Sequence, residues 1–308
     1  MTNVKANNFY FVFSICLNVI LLITIYHLAF RASKDVPLSS SNFTCEHPSE
    51  IKSTVQSLYD MYGEGNFDDS DEHLLNYIRS MTSQQAHGGR HLSSNPSRVH
   101  FSQYGGSEFV DKLLKQRRNG FFVECGAFGG EKLSDTLFFE LERNWTGLLI
   151  EAHPEYYRKI LRKNRHALAL RACLSSSRHP GMVQFKLAGW GSGVSADNRN
   201  AYAIKKSTPE TDVQCFTLNS IMAAFGVRHI DFMVLDVEGS ELPILETIDF
   251  TRLSIDVFSI EYTTDHDRRV KLNEIRHFFS ERGDYKEVGT LPLGRPESRS
   301  QDVIFMRL

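Results

Sequence analysis

The sequence predicts an α/β domain on a doubly wound, mostly parallel sheet, preceded by a single transmembrane helix and a stem. Three observations carry that prediction. From about residue 99, short apolar runs alternate with segments of helical period; one run leads straight into a glycine-containing turn at 124–130; and residues 9–30 are apolar and uncharged. The 308 residues hold 35 Lys+Arg against 37 Asp+Glu, a formal charge of -2, so no net field draws the chain to nucleic acid or an anionic surface. With 41% hydrophobic and 23% charged residues it can bury a full core, which excludes disorder throughout.

Residues 1–8 are a short N-terminal tail. Within 9–30 only Ser14, Asn18, Thr24 and His27 interrupt the apolar and aromatic side chains. A helix of that length reaches roughly 33 Å, enough to cross the hydrocarbon core. A cleaved signal peptide has a shorter apolar region ending in small residues. Here the exit reads His27-Leu28-Ala29-Phe30-Arg31, so an uncleaved signal anchor is expected. Lys5 on one side and Arg31 and Lys34 on the other leave the charge rule without a direction. Two sequons, Asn42-Phe43-Thr44 and Asn144-Trp145-Thr146, suit a lumenal C-terminal part, though such tripeptides also arise by chance; Asn95-Pro96-Ser97 is excluded by its proline. The expectation is a single-pass type II membrane protein of the endoplasmic reticulum or Golgi, glycosylated at Asn42 and Asn144.

Residues 31–98 read as stem and linker with short helices. Up to about residue 48 the chain is rich in Ser, Asn, Thr and Pro. Ser49 can then cap a helix carrying Ile51, Val55, Leu58 and Tyr62, and Asp71 one carrying Leu74, Leu75 and Ile78, both read as packing on the main domain. The glycine- and serine-rich run 87–97 breaks the pattern. The main domain occupies 99–308. Ser107 is placed as the cap of a helix bearing Phe109, Val110, Leu113 and Leu114, closed by Lys115, Arg117, Arg118 and Gly120. Strands are expected at 121–126, 147–151, 167–173, 230–236, 255–261 and 302–306, helices at 154–164 and 218–225, and a hairpin around 181–187.

The chemistry begins where the first strand enters Glu124-Cys125-Gly126-Ala127-Phe128-Gly129-Gly130. A glycine turn there brings backbone N–H groups close to a ligand. Gly126, Gly129 and Gly130 lack the G-x-G-x-x-G spacing, which disfavours a dehydrogenase. Glu151, ending the second strand, is an acceptor suited to paired ribose hydroxyls. Five cysteines (Cys16, Cys45, Cys125, Cys173, Cys215) show no CxxC pair and no zinc-type spacing, so no metal site is expected. Cys125 reads as a small buried hydrophobe. Cys173 and Cys215 are compatible with a lumenal disulfide and equally with free buried thiols.

Three ordered stretches now matter together: Phe121-Phe122-Val123-Glu124-Cys125-Gly126-Ala127, then Asn144-Trp145-Thr146-Gly147-Leu148-Leu149-Ile150-Glu151-Ala152-His153-Pro154, and Leu235-Asp236-Val237-Glu238-Gly239-Ser240-Glu241-Leu242. With them the chain resembles the FkbM-type methyltransferase family over roughly residues 100–308. The anchor ahead of such a domain resembles its membrane-anchored Star-like branch, secretory-pathway proteins linked to export of membrane cargo. The resemblance implies a Rossmann-like domain binding S-adenosylmethionine, with Glu124, Gly126 and Gly130 in the acid-x-Gly-x-x-x-Gly loop beside the methionine part. It implies Glu151 on the ribose, Ala172, Cys173 and Leu174 flanking adenine, and Asp236 and Glu238 beside the methyl group. Asp236 is the first candidate for a base, with Glu238 and Glu261 next. His153 and His266 are exposed-loop candidates after these, a lone loop histidine being more often solvated than catalytic. Gly129 stands where Star-like relatives often carry Asp, and Ser134-Asp135 where Ser-Asn is common.

The implied function is O-methylation of a glycan or another hydroxyl substrate in the secretory pathway. The alternative is a non-catalytic escort of membrane-protein cargo that uses the fold as a binding module. Partners are the membrane, the methyl donor, and a glycan acceptor or cargo; nucleic acid is not among them. Acceptor choice falls to loops such as 190–206, with Tyr202, Lys205 and Lys206.

Overall fold

The computed structural model describes residues 68–84, 89–95, 97–194, 207–262, 268–292 and 302–308. The apolar stretch 9–30, Asn42, the helix expected after Ser49, His266 and most of 190–206 lie outside the described residues. Among the described residues no helix is long and apolar enough to cross a membrane.

The first described helix, α1 (Glu72–Ser80), starts where expected: the Asp71 carboxylate accepts from the His73 and Leu74 N–H groups, and Leu74, Leu75, Tyr77 and Ile78 are buried. β1 (Thr82–Ser83) follows, then α2 (Gly106–Leu113). Ser107 does not cap α2. Gly105, at a left-handed φ of 80°, begins the helix, and the Ser107 hydroxyl inside it bonds His100 Nδ1 (2.9 Å) and Ser102 Oγ (3.1 Å). The chain continues through β2 (Phe121–Cys125), α3 (Leu137–Glu142), β3 (Thr146–Ile150), α4 (Pro154–Lys163) and β4 (Leu168–Leu170). Next come β5 (Cys173–Leu174), β6 (Gly181–Lys186), β7 (Gly193–Val194), β8 (Glu210–Phe216), α5 (Leu218–Ala224) and β9 (His229–Leu235). α6 (Glu241–Thr247), β10 (Ser254–Glu261), α7 (Arg268–Arg282), β11 (Tyr285–Leu291) and β12 (Asp302–Arg307) complete it.

The main sheet has eight strands in the order β1-β4-β3-β2-β9-β10-β12-β11 and is mixed. β4, β3, β2, β9 and β10 run parallel, whereas β1, β12 and β11 are antiparallel to their neighbours. β2 lies between β3 and β9, so the chain winds outward from β2 and returns beside it. That is the topological switch point where an open α/β sheet binds ligands, at the carboxyl ends of its strands. One core unites Phe122, Leu149, Phe232, Val257 and Ile304 of the sheet with Val110 of α2, Phe139 of α3 and Ile160 of α4.

A second sheet, β5-β8-β6-β7, corrects two expectations. The apolar run 167–173 is not one strand: it leaves the main sheet after Leu170, and Cys173 pairs instead with Cys215 on β8. Nor is 181–187 a hairpin: β6 is a single strand between β8 and β7, antiparallel to both. β8 opens with Glu210-Thr211-Asp212, too polar a start to read as a strand, and its inner residues Val213 and Cys215 join Ala152, Cys173 and Phe185 in a small core.

Candidate active site

The ends of β2, β3 and β9 are tied together at the switch point. The Gly126 and Ala127 N–H groups donate to the Ile150 carbonyl (3.1 and 3.3 Å), and the Asp236 N–H donates to the Cys125 carbonyl (3.2 Å). Gly126 has a φ of 78°, and a Cβ there would overlap the Asp236 carbonyl oxygen, so the approach of loop to strand requires glycine. Above this junction lies a cavity of about 340 Å³. It brings together Glu124, Gly126, Glu151, Cys173, Asp236, Glu238 and Glu261 from across the chain. Gly130 does not line it; that glycine sits where the loop passes beneath Ile160 of α4.

Glu151 lines the cavity just past the end of β3, between β4 on one side and β2 and β9 on the other. Its buried carboxylate accepts from the Phe128 and His153 N–H groups (2.7 Å each). Burial pushes the carboxyl up to about 8 against the pull of those hydrogen bonds. His153 is not a solvated loop residue: it is buried, caps α4 by accepting from the Glu155 N–H (3.2 Å), and burial lowers its imidazole pKa. One end of the cavity is apolar, walled by Ala152, Ala172, Leu174, Phe185 and Val194. Cys173 is there too, joined to Cys215 in a disulfide that links β5 to β8.

The opposite end is acidic. Carboxylate oxygens of Asp236, Glu238 and Glu261 lie within 4.8 Å of one another, a spacing that would also suit one metal ion held among them. Burial, then the charge of Glu261 and of Glu238, holds the Asp236 carboxyl well above its ordinary value, and a hydrogen bond with Glu261 adds to this. Asp302, at the start of β12, is raised to about 7 by burial and the Glu261 charge. Asp135 completes the group: burial, Asp302 and Glu124 raise it, and its Oδ1 is buried without a hydrogen-bond partner.

Two supports hold these groups in place. Glu238 has a left-handed φ of 57°, and the turn around it is clasped by Glu241, whose carboxylate accepts from the Val237 (3.2 Å) and Gly239 (3.1 Å) N–H groups and pairs with Lys271 of α7 (2.9 Å). The Glu124 carboxylate accepts from Ser134 Oγ (2.9 Å), the Asp135 N–H (3.0 Å) and the Thr136 hydroxyl, with buried Arg165 at 3.6 Å. It fixes the 134–136 turn that delivers Asp135. Sequence reasoning missed Asp135 as a site acid, Asp302, and Lys271 with its partner Glu241. Only Asp302 left a signal, as a lone acid opening an apolar strand.

The model of the methyltransferase FkbM domain matches residues 124–286, which span the junction, Glu151, the disulfide and the acidic end up to Glu261. Among solved structures the chain is similar to the methyltransferase FkbM of Methylobacillus flagellatus, at 15% identity and a TM-score of 0.42, covering 84% of this chain and 60% of that one. It is also similar to the 1,6-didemethyltoxoflavin-N1-methyltransferase of Burkholderia thailandensis, solved with 1,6-didemethyltoxoflavin and S-adenosylhomocysteine. That match has 12% identity, a TM-score of 0.34, and covers 87% of this chain and 93% of that one. No curated protein matches by sequence. The groups around the cavity fit S-adenosylmethionine: a buried acceptor for a diol in the middle, an apolar end for a purine, and carboxylates for a sulfonium and an ammonium at the other end.

Proposed function

Because this chain belongs to the FkbM family of methyltransferase domains, we propose that its cavity binds S-adenosylmethionine and directs methyl transfer to a hydroxyl group of a glycan or another secretory-pathway acceptor. The observation that carries this reading is the division of one cavity into an apolar end, Glu151 and an acidic end, in the order of adenine, ribose and sulfonium. When bound, S-adenosylmethionine supplies a methyl group already activated on a positively charged sulfur, so the protein's work is positioning. Glu151 would accept from the ribose hydroxyls, with Ala152, Ala172 and Leu174 beside the base. Asp236, Glu238, Glu261 and Asp302 would face the positive sulfur, and Asp236 would take the proton from the acceptor oxygen as its bond to carbon forms. Glu124 acts one step back, by ordering the Asp135 turn.

We assign residues 9–30 as the anchor of a type II protein of the endoplasmic reticulum or Golgi, with the cavity in the lumen. The Cys173–Cys215 disulfide supports an oxidising compartment. A second reading, resting on the likeness to the Star-like branch and on a Glu124 whose carboxylate is engaged by its own loop, is an escort of membrane cargo that needs no methyl transfer.

Calorimetric titration of the full chain with S-adenosylmethionine separates the two. Micromolar binding, abolished in Glu151→Ala, is expected. A folded protein that binds neither S-adenosylmethionine nor S-adenosylhomocysteine overturns the methyltransferase reading in favour of the escort.

A further inference from the structure

The loop after β2 has an outward face as well as an inward one. On that side the chain forms a groove of about 620 Å³, bounded by residues 91–94 and Arg98, the loop and α4. Arg98, Lys132, Lys159, Arg162 and Lys163 line it, against one carboxylate, Glu131. In a chain whose formal charge is -2, that is a local concentration of positive charge.

Glu131 is already committed. It is buried at the base of the groove, accepts from the Ser93 (2.8 Å) and Ser94 (2.6 Å) N–H groups, and pairs with Lys163. Burial opposes its ionisation, yet the hydrogen bonds from Lys163, Ser93 and Ser94 hold its carboxyl down at about 2. Its role is to pin the 91–94 segment to α4, where the His91 N–H also donates to the Lys163 carbonyl (2.9 Å). Arg98 and Arg162 are exposed; the Arg98 guanidinium lies over the Phe101 ring (5.4 Å) and donates through Nε to the His100 carbonyl (2.9 Å) and through Nη2 to the Phe101 carbonyl (3.4 Å), contacts that orient it at the rim, while Lys159 lies over the Tyr156 ring (4.7 Å) and pairs with exposed Glu155 (3.0 Å). At Gly129 a side chain would meet nothing closer than Lys159 Cβ at 3.8 Å, so that wall is bare backbone. Phe128 and Lys132 line both this groove and the cofactor cavity, making the loop a wall common to the two.

We propose that this groove binds the sulfate or phosphate esters of a glycan acceptor, holding an anionic sugar chain on the flank of the methyl-transfer cavity. The guanidinium fork of Arg162, backed by the charge of Arg98, suits tetrahedral oxyanions, and the volume suits a few sugar rings rather than a nucleic-acid duplex. That the glycan is the methyl acceptor rests on the methyl-transfer reading; the binding of the anion does not.

The test uses the full chain in detergent micelles, titrated with a heparin-derived sulfated hexasaccharide, with its desulfated counterpart, and with inorganic phosphate. The sulfated probe binds; the desulfated one does not. Raising salt from about 50 to about 200 mM weakens binding by about tenfold or more, and so does Arg98→Gln combined with Arg162→Glu, while S-adenosylmethionine affinity stays unchanged. Competition by phosphate near the same concentration as by the hexasaccharide assigns the groove to a free anion and overturns the glycan. No binding of the sulfated probe, or equal binding by the double variant, overturns the groove itself. Preferential binding of phosphatidylserine vesicles through Arg98 and Arg162 replaces the glycan with a membrane surface. Loss of S-adenosylmethionine binding alongside intact hexasaccharide binding sinks the methyl-transfer reading and leaves the groove standing.

Discussion

Asp236 works as a base only while ionised, and it sits where ionisation is hardest, half-buried and faced by Glu261, Glu238 and Asp302. A sulfonium brings the charge this group of acids lacks, so cofactor binding and proton loss are linked. A nearby cation favours the ionised carboxylates. Binding of S-adenosylmethionine therefore tightens as pH rises through about 7, where Asp302 titrates, and releases protons to the buffer. S-adenosylhomocysteine, an uncharged thioether at that position, releases fewer. Calorimetry at about pH 7 in buffers of different ionisation enthalpy counts those protons; equal release by the two ligands would remove the acids from the reacting end. Asp302→Asn takes away one like charge, lowers the Asp236 carboxyl and reduces the release. Asp236→Asn leaves binding in place and slows transfer to a bound hydroxyl by about 10²- to 10⁴-fold, and a variant that keeps full turnover excludes Asp236 as the base.

Among the elements, β5 is the most dependent on something other than its own sequence. It has two residues, one parallel partner, and the Cys173–Cys215 bond closing a separation of 42 residues. Cys215→Ser is expected to cost about 2–4 kcal/mol in chemical denaturation and to weaken S-adenosylmethionine more than it weakens a ligand lacking adenine. Equal loss for both ligands would make the disulfide a global brace with no bearing on the apolar end. The same element shows where legibility stopped. Parallel strands buried on both faces, such as Phe121–Cys125 and His229–Leu235, announce themselves as apolar runs. β5 was absorbed into the run before it, and β8 was hidden by an acidic start. For the site, Glu124, Glu151 and Asp236 were readable because each ends an apolar strand at a glycine turn or helix start. Asp135 and Asp302 reach it from a turn and from an antiparallel strand, and only the pairing of β12 with β10 brings Asp302 to Glu261.

At the scale of the whole molecule, the anchored, lumenal reading makes a topological prediction. In sealed microsomes the folded domain resists added protease until detergent opens the membrane, and Asn144→Gln removes one glycosidase-sensitive increment of mass. Cleavage without detergent would place the cavity on the other side. Asn144 is exposed in a tight left-handed turn, its Nδ2 donating to Asn119 Oδ1 (2.6 Å), directly before buried Trp145. Nearer the N-terminus, the stretch assigned to the stem is partly domain. β1 extends the main sheet beside β4, α1 packs on α5, and Arg79 donates to the Ala224 carbonyl (2.7 Å) while Asp69 accepts from Thr217 and Ser220 (2.5 Å each). On the anchored reading at most residues 31–67 separate the membrane from the first described part of the domain, a length that fully drawn out spans no more than roughly 120–130 Å, against roughly 220–245 Å for 31–98. A shorter leash sweeps a smaller volume and raises the local concentration of whatever shares the bilayer. On that reading the cavity would stay within that reach of the bilayer, where acceptors that are themselves anchored would meet it more often than freely diffusing ones.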